Sequence, residues 1–140
     1  MRSAELKAIM LTLAMALNVG GAFAAERTWT RSEILAVADK EALRLGRTAD
    51  LFEARLDDNN SFWEFYFKIH KKAAARNPHL KESFQAIEAK LNGRSYWAVN
   101  YVSLKPEKTA GLFVFIDRKT CQWIASVEDK YNAQGHLLIW

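Results

Sequence analysis

The sequence predicts an α+β domain: an antiparallel sheet of four to six strands with two main helices packed on one of its faces. Three observations point there. Two segments, near residues 30–45 and 77–91, carry apolar side chains at helical spacing between recognisable start and stop signals. The last third of the chain breaks instead into short β-rich runs separated by turn residues. Finally, the chain has 140 residues, half of them hydrophobic, and its first 24 read as a leader, so the remainder has room for one core and not two.

The leader is legible in three parts. Arg2 and Lys7 against Glu5 give a positive start, Ala8 to Leu17 is an uncharged apolar stretch, and Asn18-Val19-Gly20-Gly21 breaks it. Ala22 and Ala24 then supply the small side chains that signal peptidase accepts at −3 and −1. A membrane-spanning helix needs about 20 apolar residues, roughly twice this stretch. The expectation is a signal peptide over 1–24, a single domain over 25–140, and a periplasmic or secreted product without an integral membrane segment after cleavage. Losing Arg2, Lys7 and Glu5 leaves 18 basic and 15 acidic side chains of the formal 20 and 16, a mild excess spread along the chain. Its only local cluster is Lys68, Lys71, Lys72 and Arg76, which reads as a solvated face, and neither this nor export suits a nucleic-acid partner. Cys121 is the single cysteine, so an oxidising compartment leaves it as a buried thiol or as a candidate for an intermolecular disulfide and a homodimer.

The first helix is predicted over Thr30 to Leu45. Thr30 and Glu33 form a capping box, Trp29 and Ile34 a hydrophobic staple, and Ile34, Leu35, Ala38, Ala42 and Leu45 recur on one face before Gly46 ends it. Leu51 to Leu56 and Phe62 to Ile69 then flank the turn-forming run Asp57-Asp58-Asn59-Asn60. Alternation of Phe52, Ala54 and Leu56, and of Trp63, Phe65, Phe67 and Ile69, favours a β-hairpin, with Phe62 and Tyr66 on its other face. The competing reading is a helix opened by Ser61, with Glu64 as its capping partner, continuing through Ala73-Ala74-Ala75.

A second helix is capped by Asn77, admits Pro78 at its first position, runs through Leu80, Phe84, Ile87 and Leu91, and stops at Asn92-Gly93. Strands follow at Tyr96 to Leu104, Leu112 to Asp117 and Gln122 to Val127, the middle one apolar on both faces and therefore central. A short strand from His136 to Trp140 returns after Asn132-Ala133-Gln134-Gly135. Phe62-Trp63-x-Phe65-x-Phe67 faintly echoes Tyr96-Trp97-x-Val99-x-Tyr101, although two units make no solenoid.

The run from Gly93 to Tyr101 (GRSYWAVNY), a loop, and the run from Gly111 to Thr120 (GLFVFIDRKT) resemble small exported bacterial domains in which a "YW-x-V-x-Y" strand leads to a glycine-started strand ending in "ID-x-x-TG". The pattern is similar to that of PepSY-like domains and of cystatin-like immunity proteins of the nuclear-transport-factor-like type, and it covers about a quarter of the chain. Asp117 is placed to bond the backbone of the following turn, where a residue of positive φ is wanted before the next strand. The family's glycine falls at Cys121, where a left-handed side chain costs about 1 kcal/mol or more. Either the turn differs in this chain, the preferred reading, or Cys121 is kept for its chemistry, exposed at a hairpin tip.

No catalytic or cofactor signature is legible. His70, His79 and His136 lack metal-ligand spacing along the chain, and no glycine-rich phosphate loop, G-x-S-x-G or H-E-x-x-H is present. The nuclear-transport-factor-like resemblance implies a His/Asp dyad in some enzymes, for which His70 and Asp117 are the available pair. Aromatic residues remain the candidate contact set. Tyr66, Trp97, Tyr101 and Trp123 are the predicted binding residues, on the expectation that one face of an antiparallel sheet stays open. The expected function is an exported, non-enzymatic protein-binding domain, an inhibitor or immunity protein. The rivals are a small periplasmic enzyme with a pocket between helix and curved sheet, and a cell-envelope module held by the cluster near Lys71.

Overall fold

The computed structural model describes residues 28–105 and 110–140; the expected signal peptide lies outside the described residues. The elements are α1 (Arg31–Arg44), β1 (Phe52–Arg55), α2 (Ser61–Ala74), α3 (Pro78–Leu91), β2 (Tyr96–Ser103), β3 (Leu112–Asp117), β4 (Trp123–Tyr131) and β5 (Leu137–Ile139). The five strands form one antiparallel sheet in chain order, with β3 at its centre, so the α+β class holds. Among the described residues no helix is long and apolar enough to cross a membrane.

The helices do not share a face. Period-two alternation along β2 and β3 sends Trp97, Val99 and Tyr101 with Leu112, Val114 and Ile116 toward α1, and Ala98 with Phe113 and Phe115 toward α2 and α3. The result is three layers, with α1 on one side of the sheet and the α2–α3 pair on the other. Such a sheet needs strands apolar on both faces, and β3, Leu-Phe-Val-Phe-Ile, is fully buried until its last residue.

α1 starts and ends as its sequence dictates. The Thr30 hydroxyl accepts from the Glu33 amide at 3.2 Å while the Glu33 carboxylate accepts from the Thr30 amide at 2.9 Å. At the other end Gly46 takes a φ of 79°, and the amides of Gly46 and Arg47 close on the carbonyls of Leu43 and Ala42. Ala38 and Ala42 on its buried side have no exposed surface, and their small size lets the helix sit close on the sheet.

Residues 61–74 are helical, which overturns the predicted hairpin and, with it, the echo between residues 62–67 and 96–101. The aromatic run satisfies two periods at once. Trp63, Tyr66, Phe67, His70 and Ala74 also fall on one helical stripe, and that stripe packs on the sheet while β1 pairs with β2 instead. The acidic and amide run before it is a helix start and not a hairpin tip. Ser61 begins the helix as the competing reading had it, but the cap is Asp57, whose carboxylate accepts from the Ser61 amide at 2.9 Å and the Ser61 hydroxyl at 2.6 Å. Those bonds hold the Asp57 carboxyl below its usual pKa.

Asn60 takes the left-handed conformation (φ 55°), which asparagine tolerates better than most residues, and buries its amide against β2. Its Oδ1 accepts from the Ala98 amide and its Nδ2 donates to the Tyr96 carbonyl, both at 2.8 Å. Asn60→Ala removes both bonds and leaves the buried Ala98 amide unsatisfied, the Tyr96 carbonyl keeping Arg118 as a donor, so a loss of about 1–3 kcal/mol in urea unfolding is expected. Asn60→Asp, which keeps the acceptor for Ala98, should lose only part of the stability.

The turn after β3 retains the predicted geometry. Asp117 Oδ1 accepts from the amides of Lys119 and Thr120 at 2.7 and 3.1 Å, and Cys121 adopts φ 54°. The preferred reading, that the turn differs here, is therefore corrected. Cys121 is also buried, among the residues under α1, so it does not stand exposed at a hairpin tip for an intermolecular bridge. Burial of its side chain offsets the backbone cost.

Candidate functional site

The four predicted binding residues form no open face, and Tyr66 lies apart from the other three. Trp97 and Tyr101 are buried and Trp123 is partly buried on the α1 side of the sheet, whereas Tyr66 packs on the opposite side against Trp63 and Phe113. The expectation of an open sheet face fails because helices cover both faces. Three of the four polar tips have a structural bond: Tyr101 donates to Asp39 at 2.6 Å, Tyr66 to Asp129 at 2.9 Å, and Trp123 Nε1 to the Ser126 hydroxyl at 2.9 Å.

Burial, reinforced by the neighbouring carboxylates Asp129 and Asp39, pushes the Tyr66 and Tyr101 phenols far above their usual pKa. Both states are protonated below pH 10, so these tyrosines leave stability unchanged there. Above pH 10 the unfolded chain ionises first and stability falls. An ultraviolet titration should show these two tyrosines ionising only as the fold is lost; ionisation with the fold intact would contradict their burial.

Aromatic rings pack closely where α2 meets the centre of the sheet, and a hollow of about 340 Å³ remains between α2, α3 and the start of β2, lined by Trp63, Phe67, Ile87, Leu91 and Tyr96. Trp63 meets Phe113 and Phe115 edge-on at 5.0 and 4.7 Å, and Phe67 meets Phe84 at 5.3 Å. His70 is spent locally, its Nδ1 donating to the Tyr66 carbonyl at 2.9 Å and its ring stacked on Tyr66 at 3.9 Å. Asp117 serves its own turn and lies 3.7 Å from Arg94, and among the described residues no hydrogen bond or ion pair joins it to His70.

An exposed apolar stripe lies elsewhere, on the outside of α2. Phe62, Phe65 and Ile69 are 46, 68 and 48 % exposed and stand at i, i+3 and i+7, a continuous stripe on the face turned away from the sheet. A helix with Trp63 to bury does not require three further large apolar residues on its solvent side. Lys68 and Lys72 flank the stripe and form no ion pair among the described residues, whereas Lys71 is held by Glu88 at 2.8 Å and lies 5.2 Å above the Phe67 ring.

Beside the stripe the surface is concave. A depression on α2 is lined by Phe65, Phe67, Lys68, Lys71 and Lys72 with Glu64. A second hollow, a groove of about 420 Å³ that shares Lys71 with the first, lies between α2 and α3, floored by Ala74, Ala75 and Phe84 and rimmed by Lys71, Lys81, Gln85 and Glu88. The short alanine side chains at the end of α2 keep this groove open. Together the two hollows present four lysines against two glutamates around an apolar floor. The cluster at Lys68 to Arg76 was visible as a charge run; its aromatic neighbours were misplaced because a strand period put Phe65 beside Trp63.

No protein-family model, curated protein or solved structure matches the chain.

Proposed function

We propose that the chain is an exported, non-enzymatic protein-binding domain of inhibitor or immunity type, whose contact surface is the outer face of α2 with the groove it shares with α3. The exposed stripe Phe62, Phe65 and Ile69 carries this reading, since a contiguous patch of large apolar side chains in solvent marks a surface that a partner covers. The occupant is a protein surface with an apolar centre and an acidic rim, complementary to Lys68, Lys72 and Lys81. The signal peptide read over 1–24 supports export, and the similarity of Gly93 to Thr120 to PepSY-like and cystatin-like domains supports a binding role.

The test compares the wild type with a Phe65→Glu/Ile69→Glu variant. The variant should fold with stability within about 0.5 kcal/mol of wild type, because both side chains face solvent. It should lose an acidic envelope protein that the wild type retains at low salt and releases at high salt. Equal recovery by both proteins would reject this surface. Binding of the wild type to anionic phospholipid vesicles with no protein recovered would replace the reading with the cell-envelope module.

A further inference from the structure

Histidines far apart in the chain meet at one corner of the fold. His79 and Glu82 stand one turn apart near the start of α3, and His136 lies in the turn between β4 and β5. His136 Nε2 is 2.8 Å from Glu82 Oε2, and the two imidazoles meet edge to face with centroids 4.8 Å apart. A ligand atom from each of the three residues lies within 4.8 Å of the other two.

The corner is held from behind. Buried Ser83 donates to the His79 carbonyl at 3.0 Å and accepts from the Leu137 amide at 3.0 Å, so one hydroxyl ties the backbone beside His79 to the backbone beside His136. Asn132 Oδ1 accepts from the amides of Gln134 and His136, both at 3.0 Å, and Gly135 takes the left-handed conformation the turn needs (φ 88°). The backbones that carry the donors are therefore fixed, while the side chains of His79 and Glu82 reach solvent and can adjust.

We propose that His79, Glu82 and His136 bind a divalent transition-metal ion, with Zn²⁺ the best fit. Two imidazoles and one carboxylate suit zinc and its neighbours, whereas Ca²⁺ and Mg²⁺ prefer all-oxygen cages. Zinc bonds of about 2.0–2.2 Å in a tetrahedron place neighbouring donors about 3.3–3.5 Å apart, so the present spread closes by little more than an ångström of side-chain movement. The ion sits between His136 and Glu82 in place of their direct hydrogen bond. The fourth position is left to water or to a donor from a partner. A bound ion clamps α3 to the last hairpin, across the join that Ser83 and the Glu82–His136 contact make now.

The protein, purified without a histidine tag and stripped with chelator, is titrated with ZnCl₂ by calorimetry at pH 7.5 and melted with and without the metal. One Zn²⁺ per chain at micromolar concentration, with a raised melting temperature and no response to MgCl₂ or CaCl₂, is expected. His79→Ala and His136→Ala should each weaken binding at least tenfold, and Glu82→Gln should weaken it measurably. Circular dichroism of the metal-free proteins checks folding; the two α3 variants alter exposed side chains and remain readable if His136→Ala unfolds. No saturable zinc binding by the wild type, or wild-type affinity in His79→Ala, overturns the proposal.

Discussion

Trp63→Ala is expected to lower the unfolding free energy by about 3–5 kcal/mol, the largest single effect of an apolar truncation in this fold. Trp63 is almost completely buried at the junction of α2 with the sheet, and its indole touches four other rings, Tyr66, Phe67, Phe113 and Phe115. Truncation leaves a cavity that those rings cannot fill together, since Phe113 and Phe115 are held by the central strand. Urea denaturation followed by far-ultraviolet circular dichroism measures the loss. Trp63→Phe, which keeps one ring in place, should cost clearly less. A change below about 1 kcal/mol for the alanine variant would mean that α2 is not docked through this residue.

Glu128→Ala should be comparably damaging, at about 3–5 kcal/mol, for an electrostatic reason. Arg47 leaves the end of α1 and pairs with Glu128 of β4, both side chains about nine-tenths buried. Arg47 also donates to the carbonyls of Leu45 and Ala110, and the second Glu128 oxygen accepts from Trp140 Nε1 at 2.9 Å. Removing the carboxylate strands a guanidinium in a site that water reaches poorly and also leaves the Trp140 indole N–H without its acceptor. The pair as a whole is a different matter. Arg47→Met with Glu128→Leu removes both charges together and should recover most of the loss, because a buried ion pair and a well-packed apolar pair are close in energy. A double-mutant cycle in urea reads the coupling; additive losses would show that the two charges do not act as a unit.

Much of this architecture was legible, for local reasons. The ends of α1 and α3 depend on side chains adjacent in sequence, and Thr30, Glu33, Gly46, Asn77 and Pro78 do there what their chemistry dictates. The turn at Asp117 is equally local. What escaped was non-local. Residues 62–69 fit periods of 2 and 3.6 equally, and the choice is made by the sheet, which accepts Trp63, Tyr66 and Phe67 from above while β2 takes β1 as its neighbour. Placing both helices on one face missed that β2 and β3 are apolar on alternate sides, a feature present in Trp97-Ala98-Val99 and in the whole of β3. Of the candidate surface, only the lysine cluster could be read from the chain. The meeting of His79 with His136 needs the last hairpin folded against α3, and no spacing rule records that.

Asn60 has a consequence for how this molecule meets others. β1 pairs with only the second half of β2, from Asn100 to Ser103, so the first half would otherwise present bare amides and carbonyls to any extended chain. The Asn60 amide occupies that position, satisfying Ala98 and Tyr96 as a neighbouring strand would, and Arg118 adds a second donor to the same Tyr96 carbonyl. At the opposite border β5 is three residues long. Both margins of the sheet are thereby blunted against strand-to-strand accretion, the usual route from a folded β-protein to fibrils or swapped dimers. The same plug closes β-augmentation as a mode of recognition at β2, which leaves side chains, and not backbone, to choose the partner.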